Sequence, residues 1–237
     1  MTQEKGFILH RSRSPFTNQN YVVILTTNSA NRKTGNQCQV WILCEDIEPT
    51  RAVREGSDET ICGDCKHRRN PETGHRTCYV NAGQAPTSVW RSYHAGKYVK
   101  LWTNELLEHA VRGRSIRWGA YGEPTLIPVK MVRWLNRIAK SHTGYTHQWH
   151  QDWAQEYKGV FMASVDTELE EFTARVDGWQ TFRVMPKGET NPNLNIHQCS
   201  NAINPQIQCI NCTLCNGNTS SIWINAHGPG AKHLALV

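Results

Sequence analysis

No run in this chain approaches the roughly 20 consecutive apolar residues of a membrane-spanning helix. The apolar stretch from Tyr21 to Leu25 is long enough only for a buried strand. The opening residues, Met1-Thr2-Gln3-Glu4-Lys5, lack the charged-then-apolar layout of a secretory signal. A cytoplasmic protein with no membrane partner is therefore expected. A glycine-rich phosphate loop, a His-Glu-x-x-His helix and a Gly-x-Ser-x-Gly elbow are also missing. Nucleotide hydrolysis and simple protease or esterase chemistry accordingly lack support. No internal repeat, low-complexity tract or linker divides the 237 residues.

What is present reads as globular, since 38% of residues are hydrophobic and 19% charged. Charge is unevenly placed. Residues 81–140 carry ten Lys or Arg against three Glu, a balance of +7 within a net +6. Such a segment can attract nucleic acid or another polyanion, although a solvated basic face is the simpler reading. Tyr79, Trp90, Tyr93, Tyr98 and Trp102 interleave with Arg91, Lys97 and Lys100. These could stack on a single strand, or the aromatics could simply pack the core.

The secondary structure reads as α/β. Tyr21–Leu25 and Gln39–Leu43, separated by the turn-rich 28–36, predict a β-hairpin. Pro86 can open a helix ending near Gly96, and Thr103 can cap another that stops at Gly113. Strands then alternate with helices. Strands are expected over 115–121, 144–149, 160–165, 181–185 and 221–225, with helices over 128–140, 151–157 and from Thr167 to Gly178. On the 128–140 helix Met131, Trp134, Leu135 and Ile138 form one apolar stripe. In the last helix Leu169, Phe172 and Val176 are expected to face inward behind a Thr167-x-x-Glu170 capping box.

Alternation implies parallel β-α units. The expected architecture is a partial or distorted β/α barrel-like core preceded by a β-hairpin region, with two cysteine-rich metal-binding loops. It reads as a single domain in three parts: a β-rich 1–80 with the first cysteines, a β/α core over 81–198, and 199–237 with the second cysteines and the last strand. An open doubly wound sheet would produce much the same sequence.

Nine cysteines in a reducing compartment point to metal rather than disulfides. Cys209-x2-Cys212-x2-Cys215, with Cys199 ten positions upstream, lets a tight loop wrap an iron–sulfur cluster such as 4Fe-4S. Zinc, which usually takes its ligands as two pairs, is the alternative. The first set is Cys62-x2-Cys65 followed by Cys78. A fourth ligand from His67, His75, Cys38 or Cys44 would make a closed zinc knuckle, whereas three cysteines alone would leave one iron open to a substrate. Cys38 and Cys44, flanking a strand, read as buried structural thiols.

Certain motifs appear in a particular order. Lys33-Thr34-Gly35, Cys62-Gly63-Asp64-Cys65-Lys66-His67-Arg68, Cys78-Tyr79-Val80, Gly119-Ala120-Tyr121-Gly122-Glu123-Pro124, Gly144-Tyr145-Thr146-His147, Ala163-Ser164-Val165-Asp166 and Ala226-His227-Gly228 span residues 30 to 230. This layout resembles an uncharacterised family of phages and mobile elements and, more distantly, the mycobacteriophage "gene product 88" family. The resemblance implies a phage origin and a bacterial host cytoplasm, with no assigned reaction. Where relatives have Gly-Asp-Pro, this chain has Gly122-Glu123-Pro124, which keeps the acid on a longer arm.

In β/α folds working residues gather at the carboxyl ends of strands. That rule selects Glu123, His147, Asp166 and Arg183 as catalytic candidates and Tyr121, Ser164 and His227 as cofactor-binding ones. Each also has a plain structural reading, Asp166 as a helix cap and Arg183 as the partner of an acid among them. The leading expectation is an iron–sulfur enzyme with a reactive Cys62/Cys65/Cys78 centre and an auxiliary Cys199/Cys209/Cys212/Cys215 centre. This is similar to radical S-adenosylmethionine enzymes, although their Cys-x3-Cys-x2-Cys motif is absent. The competing expectation is a zinc-stabilised nucleic-acid-binding or -modifying phage protein without redox chemistry.

Overall fold

A computed structural model of the chain describes residues 4–227 and Ala231. Strands β1 (Gly6–Arg13), β2 (Asn20–Thr26) and β3 (Cys38–Cys44) run antiparallel in sequence order. The expected hairpin is therefore present, preceded by a strand the pattern did not announce. The runs YVVILT and VWILC are buried on both faces, as a near-continuous apolar strand must be. Helices α1 (Pro49–Glu55), α2 (Glu59–Cys62), α3 (Ala85–His94) and α4 (Asn104–Val111) follow. Strand β4 (Ser115–Tyr121) pairs parallel to β3. After α5 (Val129–Ile138), β5 (Ser141–Thr143) pairs parallel to β4.

A second sheet is parallel throughout. It contains β6 (Tyr145–Thr146), β7 (Met162–Val165), β8 (Thr181–Met185), β9 (His197–Gln198) and β10 (Ile222–Asn225), in the spatial order β6-β7-β8-β10-β9. Helix α6 (Glu168–Val176) connects β7 to β8, and the short α7 (Ser200–Ile203) and α8 (Cys209–Cys212) lie between β9 and β10. The sheets succeed one another at Gly144, between β5 and β6. Its N–H reaches the Cys215 carbonyl at 3.2 Å and its carbonyl accepts from Met162 at 3.0 Å. A Cβ there would lie 2.5 Å from Phe161 Cδ1 and 3.2 Å from Trp118 Cβ, so only glycine lets both buried side chains approach the chain.

Helix starts follow local chemistry. The Thr103 hydroxyl accepts from the Leu106 N–H at 3.3 Å, and Thr167 and Glu170 form a complete capping box.

Several expectations are corrected. The fold is mixed α/β with two five-stranded sheets, and no closed barrel forms among the described residues. An alternating strand–helix pattern does not specify closure, which depends on strand number, tilt and stagger. The 144–149 strand shrinks to Tyr145–Thr146, and the following helix is a 3-10 segment, Asp152–Tyr157. A further correction concerns α6. Leu169, Phe172 and Val176 are 74%, 66% and 69% exposed, while Glu171 and Ala174 face inward. The cause lies across the interface. Arg183 of β8 meets α6 there, and Glu171 turns inward to pair with it at 3.2 Å. On α5, Val132 and Leu135 are the buried pair, with the rest of the expected stripe only partly covered.

Candidate functional site

Side chains alternate across a strand, and on the inner face that alternation builds a single cavity of about 290 Å³. Arg117, Gly119 and Tyr121 line it from β4. Thr143, Tyr145 and His147 continue the two-residue period through and past β5 and β6, and Phe182 and Val184 do so on β8. Of the seven strand-end candidates, Tyr121, Glu123, His147, Ser164 and His227 meet around this space. Asp166 stands behind it against His67. Arg183 does not join them. It lies between Phe182 and Val184, so its side chain points to the opposite face, into the Glu171–Asn191 pair.

Cys62, Cys65 and Cys78 line the same cavity. Gly63, at φ +57°, makes the turn between the first two, and a Cβ there would strike the Phe16 ring at 2.8 Å. The backbone N–H of His67 donates to the Cys65 sulfur and that of Val80 to the Cys78 sulfur, an arrangement that favours the thiolate. Burial nonetheless pushes both thiols up, Cys65 to about 12. Of the fourth-ligand candidates, His67 has both ring nitrogens engaged, one with Asp166 at 2.8 Å and one with Thr77 at 2.7 Å. Cys44 is buried behind Cys62, its thiol donating to the Ser57 carbonyl at 3.4 Å. Cys38 lies at the other end of β3, and His75 is exposed on its loop.

Cys199, Cys209, Cys212 and Cys215 surround an adjoining cavity of about 40 Å³. Its loop is docked by backbone. The N–H groups of Cys209 and Ile210 donate to the carbonyls of Lys33 and Thr34 at 3.0 and 3.1 Å, and that of Cys199 to Trp223 at 2.8 Å. This explains the Lys33-Thr34-Gly35 motif: Gly35 has φ +72°, and a Cβ there would sit 2.7 Å from Ile210. Cys209 also faces the larger cavity, so the two sets share a wall. All nine cysteines are free thiols. Among the described residues no three cysteine sulfurs lie within 4.8 Å of one another.

Glu123 is 3% exposed. Gly119 and Gly122, both at positive φ, turn the end of β4, with Gly122 packed on Ile42, and so carry the carboxylate inward. It accepts from Thr125 N–H and hydroxyl at 3.1 and 2.8 Å, and from the His147 N–H at 3.1 Å. Burial holds its carboxyl above the usual range against those hydrogen bonds. Burial also pulls Asp166 upward, but the hydrogen bond and charge of His67 outweigh it and hold Asp166 low.

Several cavity residues were not among the site candidates drawn from the sequence. Arg117 is half-buried, donates to the Tyr79 hydroxyl at 2.5 Å, and lies near Cys209. Tyr145 donates to Cys215, and Lys33 approaches His227 at 3.5 Å. The two-residue period of β4 and β6 is the signal that could have found Arg117 and Tyr145. The aromatics around residues 79–102 are largely structural. Tyr93 and Tyr98 are buried, and Trp90 and Trp102 donate to main-chain carbonyls. Part of the basic segment is likewise engaged, Arg91 with Glu48 and Arg112 with Glu108.

No family model, curated protein or solved structure matches this chain. The kinship drawn from motif order therefore rests on those residues alone. Among the described residues, no helix is long and apolar enough to cross a membrane.

Proposed function

We propose that this chain is an iron–sulfur metalloprotein, an enzyme of a bacterial host cytoplasm, in which two sulfur-ligated centres adjoin one substrate cavity. The carrying observation is that Cys62, Cys65, Cys78 and Cys209 line the same space, while Cys209 also belongs to the four-cysteine set next to it. The sequence spacing Cys209-x2-Cys212-x2-Cys215 supports iron–sulfur over zinc, because three thiolates at two-residue intervals let one tight loop wrap a cluster, whereas zinc usually takes its ligands as two pairs.

The Cys199 set supplies four thiolates and would be closed, suiting electron transfer. The Cys62 set supplies three thiolates lining the cavity, which leaves a position facing that space. Such a cluster supplies one-electron chemistry when bound. S-adenosylmethionine is the co-substrate proposed for the open position. Around it the chain's own groups have separate roles. Glu123, whose carboxyl burial pushes above the usual range, lines the cavity wall, and Arg117 and Lys33 place positive charge beside Cys209.

Anaerobic purification and reconstitution test this reading. The expected product is a brown protein with about eight irons and eight sulfides per chain, falling to roughly half in Cys62→Ser and in Cys209→Ser. S-adenosylmethionine should perturb the EPR signal of the reduced wild type and not that of Cys62→Ser. A colourless protein holding stoichiometric zinc overturns the proposal in favour of a zinc-stabilised fold.

A further inference from the structure

One constellation on the cavity wall has no part in either sulfur set. His67, His147 and Asp166 each offer a ligand atom, and the three atoms lie within 4.8 Å of one another, alone among the described residues. Three separate segments deliver them. His67 follows the Cys62–Cys65 turn, whereas His147 and Asp166 lie just past the carboxyl ends of β6 and β7. Those strands are parallel neighbours, with Tyr145 opposite Met162 and Thr146 opposite Ala163, so their ends project two side chains to one place.

The first two side chains could be nothing more than a hydrogen-bonded pair, with 2.8 Å between His67 Nε2 and Asp166 Oδ1. The third is the informative one. The His147 ring meets His67 edge-on, with centroids 5.2 Å apart, and borders the cavity. Neither of its ring nitrogens has a hydrogen-bond partner among the described residues, although its backbone N–H is fastened to Glu123. His147 thus sets an imidazole with no protein hydrogen bond among the described residues beside the His67–Asp166 pair, at the cavity edge.

The surrounding contacts are those a metal site needs. The Thr77 hydroxyl sits 2.7 Å from His67 Nδ1, fixing the ring and leaving Nε2 to face the carboxylate. Glu170 accepts from the Asp166 N–H at 2.8 Å and is itself paired with Lys66 at 2.6 Å, which steadies the loop that carries Asp166. The side chains of His67 and Asp166 are 10% and 13% exposed, so the site is shielded and opens toward the cavity.

Two imidazoles and one carboxylate form a set of borderline nitrogen and hard oxygen donors. Such a set suits Mn²⁺ or Fe²⁺ and leaves several coordination positions vacant, unlike thiolates, which select sulfur clusters or softer ions. The geometry points to a third metal site, in which His67, His147 and Asp166 bind a divalent first-row cation whose remaining positions face the cavity. The class of ligand it would take is a small oxygen-donor substrate, such as a carboxylate or hydroxy compound, polarised by the cation. The site stands whether or not the cysteine sets carry iron.

Mn²⁺ is the probe, because thiolates compete for it weakly. Titrated into the folded full-length chain, it should lose its free six-line EPR signal with an end point of about one ion per chain. The bound ion should show hyperfine coupling to histidine nitrogen. Asp166→Asn and His147→Gln should weaken binding more than 100-fold, and the milder Thr77→Val by about 10-fold. Cys62→Ser and Cys209→Ser should leave it intact, which separates failure here from failure of the sulfur centres. Absence of stoichiometric binding or of nitrogen coupling in the wild type, or binding that survives both ligand changes, overturns the site.

Discussion

Replacing Arg183 by Met separates a catalytic role from a structural one. Arg183 and Glu171 are paired at 3.2 Å, with side chains only 11% and 5% exposed, and among the described residues Glu171 otherwise accepts only from Asn191 Nδ2, at 3.1 Å to each oxygen. Removing the guanidinium leaves a carboxylate inside the α6–β8 interface with one neutral donor. Breaking a buried pair on one side costs about 3–5 kcal/mol. In a chain of this size each kcal/mol lowers Tm by about 2–4 °C, so Arg183→Met should melt roughly 6 to 20 °C below wild type by circular dichroism at neutral pH. Adding Glu171→Gln removes the stranded charge while keeping an acceptor for Asn191. The double variant should recover more than half of that loss. Metal content of the folded Arg183→Met protein should equal wild type. A Tm within about 2 °C of wild type, or a double variant worse than the single, refutes the account of this interface.

Gly144→Ala places a Cβ 2.5 Å from Phe161 Cδ1 and should cost about 1–3 kcal/mol by overpacking, read as a lowered Tm; an unchanged melting curve contradicts the close approach. Phe172→Lys should alter stability by no more than about 0.5 kcal/mol, since the ring is 66% exposed, and a large loss would restore the inward-facing helix. Glu45 supplies a pH dependence. Burial pulls its carboxyl up, but hydrogen bonds from Arg11 and Tyr93 outweigh this and hold it below the usual range. Its stabilising contribution is therefore present above the unfolded-state pKa of about 4.3 and lost as pH falls through the lower folded value. Glu45→Gln should thus be less stable than wild type at pH 7, with the gap closing toward pH 3; a constant gap in urea melts counts against the network.

Much of the fold was legible because it is governed by short-range chemistry. Thr103 and the Thr167–Glu170 pair mark helix starts through hydrogen bonds within four residues, and the apolar runs of β2 and β3 declare burial directly. The misreading of α6 has the opposite origin. Leu169, Phe172 and Val176 make a convincing apolar stripe, but which face turns inward was decided by Arg183, a residue outside the helix. The same remoteness hid β1 and the two-residue β9, whose pairing partners lie elsewhere in the chain.

The cysteine spacings, the strand-end positions of Glu123, His147, Ser164 and Asp166, and the positive-φ glycines at 35, 63, 119 and 122 were all present in the primary structure. Local sterics and a two-residue strand period are enough to place such features. Only tertiary structure decided that the two cysteine sets share a wall, that Arg183 faces away, and that His67 meets His147 and Asp166. Those are encounters between segments separated by tens of residues, set by how the sheets pack around Gly144 rather than by any neighbour in the chain.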